Sequence, residues 1–153
     1  MNPNFRSVAL NRKGKKGGGI LIFLNNRYAI RSINKISGNS SSMESNTLNI
    51  LCNNESLAII AIYRPPERNK IEFSRNLQSM LEKKNITNPS IILGDMNIDL
   101  MNKSEMDRKI VTDYENLLAV KGFKRVIWDS REEFRMNGIT QSCIDHLFIK
   151  HHW

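Results

Sequence analysis

Asp95 and Asn97 stand two residues apart, directly after an apolar run that stops at Gly94, in Ser90-Ile91-Ile92-Leu93-Gly94-Asp95-Met96-Asn97-Ile98-Asp99-Leu100. A carboxylate can take or give a proton or help hold a cation, and an amide NH2 can donate to a phosphoryl oxygen. Together they suit phosphate chemistry. A buried strand ending at Gly94 would lift both side chains over the edge of a sheet, into the crevice at the carboxyl ends of strands where open α/β sheets bind ligands. Gly-Asp after an apolar run is also ordinary turn chemistry, so these residues alone leave both readings open.

Two further clusters fall at strand ends. Ile62-Tyr63-Arg64-Pro65-Pro66 puts a phenol and a guanidinium where an apolar strand over Leu57–Tyr63 must stop, because proline cannot donate to a ladder. Ser142-Cys143-Ile144-Asp145-His146-Leu147-Phe148-Ile149 carries Asp145 and His146 inside an otherwise apolar strand. A charged residue in that setting wants a hydrogen-bonding or cationic neighbour. Taken singly, Tyr63 reads as a packed aromatic and His146 as a satisfied strand histidine.

The elements that must position these residues alternate between strand and helix signals. Gly17-Gly18-Gly19 leads into a strand over Ile20–Leu24, and Asn25-Asn26 reads as a tight turn to a partner strand over Arg27–Ile36. A polar loop over Ser37–Asn46 precedes a hairpin of Thr47–Cys52 with Leu57–Tyr63. Lys70–Lys84 reads as a helix with Phe73, Leu77, Met80 and Leu81 on one face. Ser90–Leu93 is the next strand. Met106–Lys121 is a second helix, with Ile110, Tyr114, Leu117 and Leu118 inward and Gly122 as its stop. Val126–Trp128 and Cys143–Ile149 are the last strands expected.

Composition bounds the class. At 153 residues, 40% apolar and 25% charged, the chain is expected to be one soluble globular domain or a piece of one. No apolar run is long enough to span a bilayer, and the first sixteen residues lack a signal-peptide core, so no membrane partner is expected. The two cysteines, Cys52 and Cys143, form no CxxC pair, and a reducing, intracellular setting is the expectation. Charge is uneven. The net charge is +8, yet residues 1–35 carry eight Lys or Arg and no acid, whereas fifteen bases balance fifteen acids from Ile36 onward. Arg12, Lys13, Lys15 and Lys16 form the densest cluster and read as nucleic-acid-binding, with Arg64 joining them at its strand end. The same cluster reads equally as a solvated tail.

The order of the motifs resembles a family. A Gly-rich lead-in, then Tyr-Arg-Pro-Pro, then Gly-Asp-Met-Asn, then Ser-Cys-Ile-Asp-His is similar to the endonuclease/exonuclease/phosphatase superfamily. It most resembles the apurinic-type endonuclease domain of non-LTR retrotransposon (LINE/jockey-like) reverse transcriptase proteins, which nicks target DNA ahead of reverse transcription. The resemblance runs from about Phe5 to the carboxyl terminus. It implies an α/β fold, a two-sheet α/β sandwich, with residues 17–153 as a partial domain behind a basic segment at 1–16. It also implies Mg2+-dependent DNA phosphodiester hydrolysis.

Carried onto this chain, the resemblance gives four catalytic positions. Tyr63 matches the tyrosine beside the scissile phosphate. Asp95 matches the aspartate that orients or deprotonates the attacking water, or protonates the leaving oxygen. Asn97 matches the amide that holds a phosphoryl oxygen, and Asp145 the aspartate that orients the catalytic histidine. His146 is not that histidine, which belongs to a Ser-Asp-His motif further on. The chain ends at His151-His152-Trp153, at the wrong spacing from Asp145. The family's metal-binding Glu motif precedes the Gly-rich strand by several tens of residues, and none of the sixteen residues before Gly17 is acidic. The Mg2+ ligands in this chain are therefore left unassigned. The expectation is a domain incomplete at both ends, inactive alone, with DNA, a flanking retrotransposon polypeptide or a full-length relative as partners. The rival expectations are a competent phosphodiesterase completed by flanking sequence, a non-catalytic nucleic-acid-binding module, and a phosphatase of the same superfamily.

Overall fold

The computed structural model describes residues 3–10, 19–36, 42–83, 86, 89–101, 104–126 and 143–151. Their order is β1 (Phe5–Leu10), β2 (Ile20–Asn25), β3 (Ala29–Ile36), β4 (Glu44–Cys52), β5 (Glu55–Tyr63), α1 (Lys70–Lys83), β6 (Ser90–Asp95), α2 (Glu105–Val120), β7 (Lys124–Arg125) and β8 (Asp145–Lys150). Two sheets form. β1 pairs with β2, and a second sheet runs β3-β4-β5-β6-β8-β7. Every pairing is antiparallel except β5 with β6, which α1 connects as a crossover.

Strand alternation sorts the apolar residues onto two faces of the larger sheet. On one face Ile60, Ile62, Ile92 and Phe148 pack against Phe73, Leu77, Met80 and Leu81 of α1 and Tyr114 and Leu118 of α2. On the other, Leu48, Ile50, Leu57 and Ile59 pack against Val8, Ile22 and Leu24 of the two-stranded sheet. The result is an α/β sandwich with helices on one side and a second sheet on the other. Among the described residues no helix is long and apolar enough to cross a membrane.

Both helices begin where side chains can take up orphan backbone N–H groups. Asn69 Oδ1 accepts from Ile71 N (2.8 Å) and Glu72 N (3.1 Å). Ser104 Oγ accepts from Asp107 N at 3.2 Å. The buried residues of α1 are the four that the periodicity selects. At Gly122 the φ of +83° ends the turn after α2, a conformation costly for residues with a Cβ.

Residues 5–10, inside the segment set apart at 1–16, form β1 and pair along their whole length with β2. Two expectations need correction. β2 and β3 are not partners. The turn between them, where Tyr28 N donates to Asn25 O, passes the chain from one sheet to the other. Strand β4 starts at Glu44, inside the expected polar loop, since Glu44–Asn46 already pair with Ala61–Tyr63. The expected strand at Val126–Trp128 falls partly outside the described residues. What is described is a two-residue strand just before it, at Lys124–Arg125.

Some apolar surface stays bare. Leu21 and Phe23 are each 56% exposed on the outer face of β2, and Leu93 and Ile149 are over a third exposed on the face of β6 and β8 away from the helices. Such surface stabilises nothing until something covers it. The isolated chain should therefore melt below ~55 °C, the middle of the range for mesophilic domains. A cooperative thermal transition above that temperature, followed by circular dichroism, contradicts this.

Candidate active site at the strand ends

Four neighbouring strands of the larger sheet finish or begin at one edge, and each brings a polar residue to it. Glu44 at the start of β4 lies directly across from Tyr63 at the end of β5. Asp95 at the end of β6 lies directly across from Asp145 at the start of β8. The parallel register of β5 with β6 runs through Ala61 opposite Leu93, and Arg64 N donates to Asp95 O at 2.9 Å one step on. Tyr63 and Asp95 are therefore level. Alternation puts this row on the face opposite Ile60, Ile62 and Ile92. Tyr63, Asp95 and Asn97 are half-buried and Asp145 is exposed. The structure thus brings together the four residues expected to be catalytic.

The edge is shaped by Gly94. Its φ is +140°, and a Cβ there would lie 1.9 Å from Ile62 O. Only glycine lets β6 press so closely against β5 while turning out of the sheet. The chain then winds through Asp95-Met96-Asn97-Ile98. Asp95 Oδ1 accepts from Asn97 N at 3.0 Å, and Asn97 takes a left-handed φ of +47°, which asparagine tolerates better than most residues. Asn97 Nδ2 donates to Arg64 O at 2.8 Å, leaving one amide hydrogen for another acceptor. Met96 and Ile98 turn into the helix-side core.

Arg64 is not where the sequence suggested. It is 1% exposed, and its guanidinium points inward rather than towards a polyanion. Nε donates to Met96 O at 2.6 Å and Nη2 to Asn97 O. Nη1 faces Pro65 O, Pro66 O and Arg68 O. Burial pushes its pKa down, opposed first by Asp95 and then by Glu67 and Tyr63. As an arginine it keeps its charge regardless. The correction has a physical cause: two consecutive prolines cannot supply N–H groups, and the turn they make leaves carbonyls that a planar fork can satisfy. The other expected nucleic-acid contacts, Arg12, Lys13, Lys15 and Lys16, lie outside the described residues.

Behind the site sits His146. It is 5% exposed and faces the helices, opposite to Asp145. Nε2 lies 3.0 Å from Ile98 O and 3.2 Å from Cys143 O, so it carries the proton. Nδ1 then accepts from the Tyr114 hydroxyl at 3.0 Å. Burial lowers the imidazole pKa and raises that of the Tyr114 phenol. His146 is a fixed strut holding β8 to the Asp95–Ile98 loop. Asp99 adds a second tie, its Oδ1 accepting from Met101 N and Cys143 N. His151 follows the far end of β8, six residues and about 20 Å along the strand from Asp145.

Two residues escape a reading of the sequence. Glu44 is 7% exposed, on the same face as Tyr63. Its signal was faint: it is the first acid after 43 residues without one. Asn46, one pair further in and opposite Ala61, is fully buried, and neither amide atom has a hydrogen-bond partner among the described residues. A buried amide left like this calls for a water or another polar group. Among the described residues no three His, Cys, Asp or Glu could together hold a metal ion. The donors among the described residues do not by themselves form a Mg2+ site.

The chain's fold, an α/β sandwich, is similar to that of solved endonuclease/exonuclease/phosphatase family proteins. An endonuclease/exonuclease/phosphatase family protein from Leptotrichia buccalis is 16% identical with a TM-score of 0.68, covering 97% of this chain and 60% of that one. D. rerio TDP2, complexed with a single-strand DNA product, is 14% identical at a TM-score of 0.66, covering 97% and 62%. The endonuclease domain of TRAS1, a telomere-specific non-LTR retrotransposon, is 13% identical at 0.60, covering 95% and 64%. No family model and no curated protein matches the chain. The chain spans about three fifths of the length of these structures.

Two outcomes test this geometry. Gly94→Ala should cost roughly 2–3 kcal/mol in a denaturant titration, from backbone strain plus the clash with Ile62 O. A loss within ~0.5 kcal/mol contradicts the close approach. The lowered pKa of His146 makes the second. Above the ordinary value of 6.5 the ring is neutral folded and unfolded, so it contributes no pH dependence. Below 6.5 the unfolded chain takes up a proton that the buried ring refuses, and stability falls with pH until the folded value is reached. Burial dominates over the two carbonyls and Asp145, which favour the proton, while Arg125 adds to the refusal. Melting temperatures between pH 7.5 and 5 should drop in the wild type and drop less in His146→Gln. Parallel curves contradict the assignment.

Proposed function

We propose that this chain carries the phosphate side of a DNA phosphodiester hydrolase site of the non-LTR retrotransposon endonuclease type. The observation that supports this most is the level row of Tyr63, Asp95 and Asp145 across three neighbouring strands, with Asn97 hung beside it. At this level of identity the likeness to known structures speaks to fold alone, so the choice of reaction rests on these residues and on the motif order that carries them.

Each side chain has a defined task in that reading. Asp95 spends one oxygen on the Asn97 N–H, which leaves the other to orient an attacking water or take its proton. The remaining Asn97 amide hydrogen donates to a non-bridging phosphoryl oxygen. The Tyr63 phenol stands beside the same phosphate. Asp145 faces Asp95, and a direct pair of like charges in a ladder is unfavourable unless a cation, a proton or a cationic side chain relieves it. In this family the relief would come from an imidazole and a Mg2+ ion.

Neither helper is found among the described residues. His146 is committed to the core, His151 lies at the wrong end of β8, and no metal-binding group assembles among the described residues. The unsatisfied amide of Asn46 on the site face fits a site that other polar groups complete. Groups of this kind are each worth roughly 10^2- to 10^4-fold in rate. The chain alone is therefore expected to turn over negligibly, with Mg2+ serving only a completed site.

A second reading has its own support. Residues 1–35 carry eight bases and no acid, and Arg31 and Lys35 are exposed on β3, the edge strand of the larger sheet, with Arg27 exposed in the turn before it. Such a surface attracts nucleic acid without catalysis. Nicking of supercoiled plasmid separates the two. The purified chain should not nick with Mg2+ or with EDTA while folded by circular dichroism, and salt-sensitive DNA binding should weaken when Lys13, Lys15 and Lys16 are neutralised. Mg2+-dependent nicking lost in Asp95→Ala contradicts the inactivity.

A further inference from the structure

Arg64 is among the largest fully buried side chains, and what surrounds it is unusual for a charge. Its three guanidinium nitrogens meet five main-chain carbonyls: Met96 and Asn97 from the loop after β6, and Pro65, Pro66 and Arg68 from the loop after β5. The ties are reciprocal, since Asn97 Nδ2 donates to Arg64 O and Arg64 N to Asp95 O. Among the described residues the guanidinium makes no ion pair. Carbonyl dipoles satisfy its hydrogens but leave a full positive charge inside the protein. Asp95 and Glu67 act on that charge electrostatically, without a direct ion pair among the described residues. Burying a charge is costly, and a neutral side chain could have filled the volume.

We infer that Arg64 is a positioning residue that also supplies the fixed positive charge of the phosphate seat, acting from beneath Asp95 and Asn97 without touching the ligand. The inference rests on the phosphate-site reading above and adds the origin of its anion affinity. The fork sets the loop: five donors in one plane reach carbonyls that a lysine ammonium cannot satisfy together. The charge sets the preference. Attraction scales with the charge of the ligand, so a terminal phosphate dianion gains more from Arg64 than a phosphodiester monoanion does. Asp95 and Asp145 at the row repel anions, and a cation buried behind them offsets that repulsion at the one place where a phosphoryl oxygen must sit.

The two roles come apart in variants. Binding of inorganic phosphate at pH 8 and of dimethyl phosphate to the whole chain is followed by 31P line broadening, beside melting temperatures. Arg64→Met should weaken dimethyl phosphate about threefold and inorganic phosphate about tenfold, the second factor being near the square of the first. Arg64→Lys should restore both affinities to within about twofold, because the charge returns. Its melting temperature should stay below wild type, because the fork does not return. Equal weakening of both probes, or a lysine variant no better than methionine, overturns the charge role. Should Arg64→Met fail to fold, the Arg64 Nε–H resonance of the wild type decides. It should exchange slowly with solvent and shift more with inorganic phosphate than with dimethyl phosphate, and an indifferent resonance overturns the inference. Wild type binding neither anion sinks the phosphate-site reading itself, whereas binding indifferent to Arg64 sinks only this inference.

Discussion

A guanidinium closed off from solvent holds the candidate site in shape. The two loops that leave β5 and β6 in the same direction have carbonyls pointing into a gap, and Arg64 fills the gap with donors. Without it, the carbonyls of Met96 and Asn97 would be buried and unmet, each at a cost of about 1–3 kcal/mol. The Asp95–Asn97 segment would then have no reason to keep its turn. Tyr63, immediately before Arg64, shares the constraint, so one side chain fixes the relative placement of a phenol, a carboxylate and an amide.

That fixture works only because the sheet underneath is rigid. Gly94 lets β6 touch the β5 backbone, and His146 pins β8 to Ile98 from the helix side through a neutral ring. Tyr114 joins α2 to the same ring and packs edge-on against Phe148. The site face and the core face of β6 and β8 are thereby coupled. Asp145 and His146, neighbours in sequence, work on opposite sides of the sheet. On the site face of the sheet, Leu93 and Ile149 are exposed, and the buried amide of Asn46 has no hydrogen-bond partner among the described residues.

Much of this was legible in the residues. Helix α1 could be read to its last inward side chain because its apolar residues recur at helical spacing and nothing polar competes. Tyr63 and Asp95 were legible at strand ends because apolar strands stop abruptly there in polar residues, whereas Asp145 was expected inside its strand and stands instead at the start of β8. Other features were not. β1 hides in Phe5–Leu10 because a short strand with an arginine and a serine carries no clean alternation, and only its pairing with β2 defines it. Two strands joined by Asn25-Asn26 look like a hairpin locally, whereas sheet membership is decided by distant partners. Arg64 reads as a surface base until the carbonyls behind the two prolines are seen. Glu44 needed the β4 register to meet Tyr63.

The central claim is that the Asp95–Asn97 loop, held by Arg64, is where a phosphate group of DNA sits. Amide NMR of the whole chain titrated with a short single-stranded oligonucleotide tests it most directly. The account predicts that the largest shifts fall on Tyr63, Arg64, Asp95, Met96, Asn97 and Asp145, and that Asn97→Ala abolishes them while leaving the fold intact. Shifts confined to other surfaces, such as the β3 edge, or shifts at the loop that persist in Asn97→Ala, would contradict it.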